Sequence, residues 1–274
     1  MMPSFGAPPR WVVMWATAIV VYVVLKGLAW SLRSYRPAPL WKHVAFLVAW
    51  PGMDVDRFLH SSRATVRMVT IREWIFAIAK MVTGIGLIGI ASHSLRQRPT
   101  LVAGWLAMTG LAFVLHFGLF HVLSCMWRTA GCDARPIMNW PILAKNVSDF
   151  WGHRWNLAFR DLAHRTIFAP ASRVFGPAGA LLLGFFFSGL VHDLVISVPA
   201  GGGYGSPTIY FLLQGCAVLA ERSRPLRRMA ARVPGVARAL AIVVVVVPLP
   251  LAFHSHFVTR VVSPFVVAFA ELLP

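Results

Sequence analysis

The sequence predicts an all-α integral membrane protein: a multi-span bundle of about 6–8 helices with a re-entrant segment and an amphipathic interfacial helix. Three observations predict it. Hydrophobic residues make up 58% of the 274 positions and charged residues only 13%, where a soluble domain carries about 25% charged. Apolar runs of bilayer-spanning length recur so closely that no soluble domain fits between them, so 1–274 reads as a single membrane domain. The basic residues, 26 Lys and Arg against 9 Asp and Glu, are concentrated between those runs. A net charge of +17 would suggest nucleic acid in a soluble chain. Here the positive-inside rule accounts for it, and no nucleic-acid-binding motif accompanies it.

The elements follow in order. Residues 11–30 form the first predicted span, too long for a signal-peptide core and followed by no A-x-A site. Lys26 falls near its inner end, where an ammonium can snorkel. Residues 40–50 are apolar but too short to cross, and WPGMD (50–54) stops them, which predicts a re-entrant or interfacial segment. Spans are then predicted at 73–92, with Lys80 inside it, and at 101–127, 177–199, 206–220 and 239–253, with a shorter last run at 261–273. GGGYG (201–205) lacks the Lys-Ser/Thr of a phosphate loop and reads as a turn. No internal repeat argues for a secondary transporter.

Charge sets the orientation. Segments 31–72, 127–176 and 222–238 hold 20 of the 26 Lys and Arg, while the loops between them on the other side hold only Arg10, Arg96, Arg98 and Arg260. The first three are therefore expected inside and the N-terminus outside, in a multi-pass protein of a bacterial inner membrane, with its basic loops against lipid headgroups. Cys125, Cys132 and Cys216 match no disulfide or zinc spacing, and reduced thiols are expected.

Two motifs carry candidate chemistry. Taken as one helix, 149–165 places Trp151, Trp155, Ala158, Phe159 and Leu162 in one arc and Asp149, His153, Asn156, Arg160 and His164 opposite, an amphipathic pattern expected to lie in the inner interface. Interfacial anchoring explains the aromatics but not Asn156. SGLVHDL (188–194) puts His192 roughly 22 Å along a helix starting near Pro177. An ionisable residue at that depth is a functional candidate, with a histidine buried against another helix as the equal alternative. A neutral imidazole there can act as a general base. Asp193 points about 100° away on a helix and is at most a support. Ser188, four residues before His192, suggests a Ser-His nucleophile, but no G-x-S-x-G elbow surrounds it, and bonding of its hydroxyl to its own helix is favoured. The pairs His254/His256 and His116/His121 do not resemble metal-ligand spacings, so no metal is expected.

At these residues the chain resembles the membrane-bound O-acyltransferases, in particular their wax-synthase-like branch. The carriers are WPGMD (50–54), NVSDFWGHRWNLAFRDLAHR (146–165) and SGLVHDL (188–194), and the core that matches is 146–220. The resemblance implies acyl transfer from acyl-CoA, as co-substrate and without a cofactor, to a lipophilic alcohol within a helical tunnel. It carries the family's histidine onto His192 as general base and its asparagine onto Asn156, which either binds the carbonyl oxygen or orients the imidazole. Trp151, His153, Arg154, Trp155, Arg160, Ser188 and Asp193 are the candidate substrate contacts. Arg154, Arg160 and Arg165 can meet CoA phosphates, although positive-inside charge explains each as well. The family often has Arg where this chain has His153 and Glu where it has Asp193, and the chain is short for the family. Wax-ester synthesis is the leading expectation. The alternatives are acylation of a small secondary metabolite and a non-catalytic lipid carrier.

Overall fold

The computed structural model describes residues 7–233 and 235–271, and every regular element among them is helical. The helices are α1 (Arg10–Ser31), α2 (Leu40–Ala49), α3 (Val55–His60), α4 (Ile71–Gln97), α5 (Leu101–Thr129), α6 (Leu157–Ala200), α7 (Ser206–Glu221), α8 (Arg224–Arg232), α9 (Val236–Ala252) and α10 (Ser255–Glu271). Threonine side chains cap two of the long ones: Thr70 accepts from Glu73 N and Thr100 from Ala103 N.

Among the described residues four helices, α1, α4, α5 and α6, are long and apolar enough to cross a membrane, or five spans if α9 and α10, bent by 58° at their junction, count as one. This corrects the expected number. The sequence-predicted span at 206–220 is a helix of only 16 residues, about 24 Å long. The runs predicted at 239–253 and 261–273 fall on the two arms of one bent pair, Val236–Ala252 and Ser255–Glu271, residues 272 and 273 lying outside the described residues. The integral membrane character itself stands: the α1 ridge Ile19, Val20, Val23 and Val24 is exposed to its surroundings, a cost water would impose and lipid does not.

Lys26 does not snorkel. It is buried, and its ammonium donates to the carbonyls of Trp50 (2.7 Å) and Gly52 and lies over the Phe46 ring. The WPGMD turn breaks the helix of α2 and leaves carbonyls without intrahelical donors, and Lys26 satisfies two of them. Asp54 then caps α3 by accepting from Arg57 N, and Trp50 stacks on Phe58. Residues 40–60 thus form a folded-back unit of apolar core against α1.

The continuous amphipathic helix expected over 149–165 does not form. A short helical segment, 147–154, ends where Trp155 becomes extended, and Asn156 takes a left-handed conformation (φ 39°) before α6 begins. Asparagine is one of the few side chains that tolerates this region and also caps helices. Within α6, Gly176 (φ 68°, ψ 172°) ahead of Pro177 breaks the helical geometry, separating an N-terminal arm from the apolar arm that carries His192.

The loops assigned to one side by charge meet one another. Arg10 donates to Pro199 O and Ala200 O, and Arg260 to Gly201 O, at one end. At the other, Arg165 donates to Leu32 O and Arg238 to Ile142 O.

Candidate active site

A cavity of about 420 Å³ lies between the 148–168 stretch and the facing sides of α6 and α7. Aromatic rings, among them Trp151, Trp155, Phe159, Phe185 and Phe211, form part of its wall, and both Asn156 and His192 line it. The two sequence-predicted residues are brought to one space. No hydrogen bond joins them among the described residues.

His192 closes the regular part of α6, and a single π-helical turn, 193–197, follows it. Such turns recur at functional sites. The ring Nδ1 lies 2.7 Å from Ser188 O. A carbonyl oxygen only accepts, so in the neutral imidazole Nδ1 carries the proton and Nε2 keeps its lone pair. Nε2 has no hydrogen-bond partner among the described residues. The ring rests on Phe211, centroids 4.4 Å apart. Ser188 therefore meets His192 through its carbonyl rather than its hydroxyl, so the Ser-His nucleophile is not assembled. The expected back-bond from its hydroxyl to the helix is not found among the described contacts either; the imidazole makes the back-bond instead.

Asn156 is committed on one side only. Its Oδ1 accepts from Phe159 N (3.3 Å), which caps α6 and fixes which way the amide is turned. Its backbone N–H points to the Met138 sulfur. That leaves Nδ2, a two-hydrogen donor, with no partner among the described residues.

The other candidate contacts divide. Trp151 is not an interfacial anchor: its indole donates to Gln214 Oε1 (3.2 Å) and its ring packs on Phe185 and Phe211. Trp155 stacks on Phe150 and meets Phe117 edge-on. Of the arc expected in the interface, Trp151, Trp155 and Phe159 line the cavity, while Ala158 and Leu162 are buried in the core with Ala29, Phe46 and Phe58, because the two halves no longer share one helical phase across the break at 155–156. His153 also lines the cavity, but its side chain is 72% exposed, with Asp149 3.6 Å away. Arg154 does not reach the cavity. It is used structurally, donating to Asp149 Oδ2 (2.6 Å) and Trp140 O (3.2 Å). Asp149 is held below the usual carboxylate range: burial acts to raise it, and the hydrogen bonds from Lys145 N and Arg154 outweigh that.

Asp193 is likewise removed from the substrate contacts. Oδ1 accepts from Ser197 Oγ (2.7 Å) and Gly205 N (2.9 Å), and Oδ2 accepts from Thr208 N (3.1 Å) and Thr208 Oγ1. It caps α7 and does not pair with His192.

Arg160 lies at a junction. It lines the cavity and also a second, polar cavity of similar volume bounded by Met53, Asp54, Arg57, Asp161, His164 and Arg165. Its guanidinium is paired with Asp161 and Gly152 O. His164 borders both spaces.

Sequence reasoning missed Phe211, Gln214 and Glu221. Gln214 is fully buried and bridges Trp151 to Val244 O (2.8 Å). As a polar residue in an apolar run, it carried the signal that singled out His192. Glu221 accepts from Val147 N and Ser148 N and anchors the start of the 147–154 segment, a capping role with no mark in the local sequence. Elsewhere, Glu73, His121 and Cys125 offer donor atoms within 4.8 Å of one another. Arg128 is paired with Glu73, and Lys80 Nζ lies 2.7 Å from His121 Nδ1. The cluster's lone pairs are already engaged by two cationic side chains.

An integral membrane bundle with an imidazole and a free amide on one apolar cavity defines the class of protein. Comparison with known sequences then shows which proteins it is similar to. Residues 134–214 match the model of the membrane bound O-acyl transferase family, and that segment contains both Asn156 and His192. Similar proteins include probable long-chain-alcohol O-fatty-acyltransferases 3 and 1 of Arabidopsis thaliana. The first is 32% identical over 188 residues, 62% of this chain and 53% of that protein. The second is 30% identical over 164 residues, 54% and 46%. The long-chain-alcohol O-fatty-acyltransferase of Simmondsia chinensis is 40% identical over 74 residues, 24% and 21%. Through this segment the chain is similar to the membrane-bound O-acyltransferase family, and to relatives on its wax-synthase-like branch. It spans about half the length of the curated relatives it matches. These relatives are plant proteins and lend no support to the bacterial membrane expected above.

Proposed function

We propose that the protein transfers a fatty acyl group from acyl-CoA to the hydroxyl of a long-chain alcohol at the His192 cavity, forming a wax ester. The observation that carries the reading is the state of the imidazole: Nδ1 is tied to Ser188 O, and Nε2 is left as an acceptor on an apolar cavity. The names of the similar plant proteins supply the substrate class.

In this mechanism Nε2 of His192 removes the hydroxyl proton as the alcohol oxygen attacks the thioester carbonyl carbon. The carbonyl oxygen gains negative charge, and Asn156 Nδ2–H donates to it. Collapse breaks the carbon–sulfur bond, and the imidazolium returns its proton to the departing CoA sulfur. Asn156 is assigned to the carbonyl oxygen rather than the imidazole because its Oδ1 is already taken by Phe159 N. The adjoining polar cavity, with Arg57, Arg160 and Arg165 on its wall, suits the phosphates of CoA, whose acyl chain then enters past Arg160 and His164. This cavity lies on the side the charge bias assigns to the cytoplasm.

The test is direct. The protein, purified in detergent, is offered acyl-CoAs from acetyl to long-chain against fatty alcohols, sterols and small hydroxylated metabolites. Free thiol and ester product are followed together. Ester formation with long-chain partners that disappears in a folded His192→Ala variant is expected. Full activity in that variant sinks the mechanism, and no product with any pair favours a lipid carrier.

A further inference from the structure

We infer that Asp193, Ser197 and His254 form a positioning set that holds His192 in register over its cavity, with His254 reaching in from a separate part of the chain. The inference rests on reading His192 as the base.

Among the described residues no side chain fixes the His192 ring by a hydrogen bond. Its Nδ1 partner is a carbonyl of its own helix, and one ring face lies on Phe211 of α7. The placement of the imidazole therefore depends on how α6 and α7 are set along each other. Two contacts set that register. Gly189 faces Thr208 so closely that a Cβ there would stand 2.5 Å from Thr208 Cα. Asp193 takes Gly205 N, Thr208 N and the Thr208 hydroxyl onto its two oxygens. Phe211 follows Thr208 by one helical turn, so the carboxylate beside His192 fixes the residue on which His192 rests.

The carboxylate is itself held. Ser197 and Asp193 stand four residues apart within the π-helical turn, and the fully buried Ser197 hydroxyl donates to Asp193 Oδ1 (2.7 Å). Gly203 O competes for that proton only at 3.3 Å. His254, at the break between α9 and α10, closes the set. Its Nδ1 accepts from Phe257 N (3.2 Å), so Nε2 bears the hydrogen and donates to Ser197 Oγ (3.2 Å). The chain of donors runs from His254 through Ser197 to Asp193 and ends on the first turn of α7. A cap serving stability alone would not need to sit beside His192 or to control Phe211. Small misplacements of a catalytic group cost far more in rate than in fold.

The test uses the full chain in detergent, with Asp193→Asn, Ser197→Ala, His254→Ala, His254→Gln and the double variant Asp193→Asn/His254→Ala. Three quantities are read: kcat and KM for acyl transfer, the thermal midpoint, and the rate at which diethylpyrocarbonate modifies His192, followed by mass spectrometry of its peptide. His254→Ala is expected to lower kcat about tenfold or more, with KM within about twofold, and to change the His192 modification rate severalfold. His254→Gln, which can still donate to Ser197, recovers most of the rate. The double variant is no worse than Asp193→Asn alone, because His254 acts through Asp193. Folded His254 variants with wild-type kcat and wild-type His192 modification overturn the inference, as does a loss confined to the thermal midpoint. If Asp193→Asn does not fold, the His254 and Ser197 variants decide. If His192→Ala keeps its activity, the base assignment fails instead, and the modification rate alone decides whether the set positions the ring.

Discussion

Asn156 and His192 stand 36 residues apart in the chain and on the wall of one cavity, each with one polar atom tied to backbone and one left free. Asn156 gives Oδ1 to Phe159 N and keeps Nδ2; His192 gives Nδ1–H to Ser188 O and keeps Nε2. One free group is a donor and the other an acceptor, the complement that acyl transfer to a hydroxyl requires.

Replacing His192 tests the acceptor. His192→Ala is expected to lower kcat by roughly 10²–10⁴-fold, the range for loss of a general base, while the thermal midpoint in detergent stays near wild type. Thiol release from acyl-CoA in the presence of alcohol measures it.

Asn156 has two roles that substitutions separate. Asn156→Asp keeps an oxygen for the Phe159 cap and removes the donor, so kcat is expected to fall by about 10²–10³-fold with the fold intact. Asn156→Gly suits the left-handed backbone and removes both side-chain groups, so it is expected to lose activity with little loss of stability. Wild-type turnover in Asn156→Asp would assign the residue to capping alone.

Gln214 is expected to govern the cavity wall. Gln214→Leu orphans the Trp151 indole N–H and Val244 O, a cost of about 1–3 kcal/mol for each buried group left unmade. The thermal midpoint falls, and KM for the longer substrates rises as Trp151 loses its orientation.

Lys26 holds a backbone turn rather than a substrate. Lys26→Met leaves the Gly52 carbonyl without its donor and the Trp50 carbonyl with only the Tyr22 hydroxyl (3.2 Å), and it is expected to destabilise the 40–60 unit by several kcal/mol at most. Faster proteolysis within that unit, with His192 chemistry retained in the folded fraction, is the expected pattern.

Asp149 gives a pH dependence. Its folded pKa is depressed, so the stability it contributes is fully present above its unfolded value of about 3.9 and is lost as pH falls through the folded value. Asp149→Asn is expected to melt below wild type at pH 7, with the gap closing as the pH is lowered past about 4. A gap unchanged with pH would show that Asp149 acts without its charge.

The membrane class, most helix positions and the two polar residues that share one cavity, Asn156 and His192, were legible in the amino-acid sequence. Each of these follows from local composition: apolar length marks candidate spans, and a lone histidine in an apolar run stands out against its surroundings. Helical phase across 149–165 was not legible, because the break at Trp155–Asn156 depends on contacts with Ile137, Met138 and Asn139, which a periodicity argument does not contain. Nor was the employment of the charges. Arg154, Asp193 and Lys26 look alike in sequence, as costly groups near or within the membrane. In the folded chain each one satisfies backbone or carboxylate partners elsewhere, while among the described residues Asn156 and His192 keep a polar atom unspent. A buried polar group is paired wherever a partner comes within reach, and distant parts of the chain supply those partners only once the fold has formed.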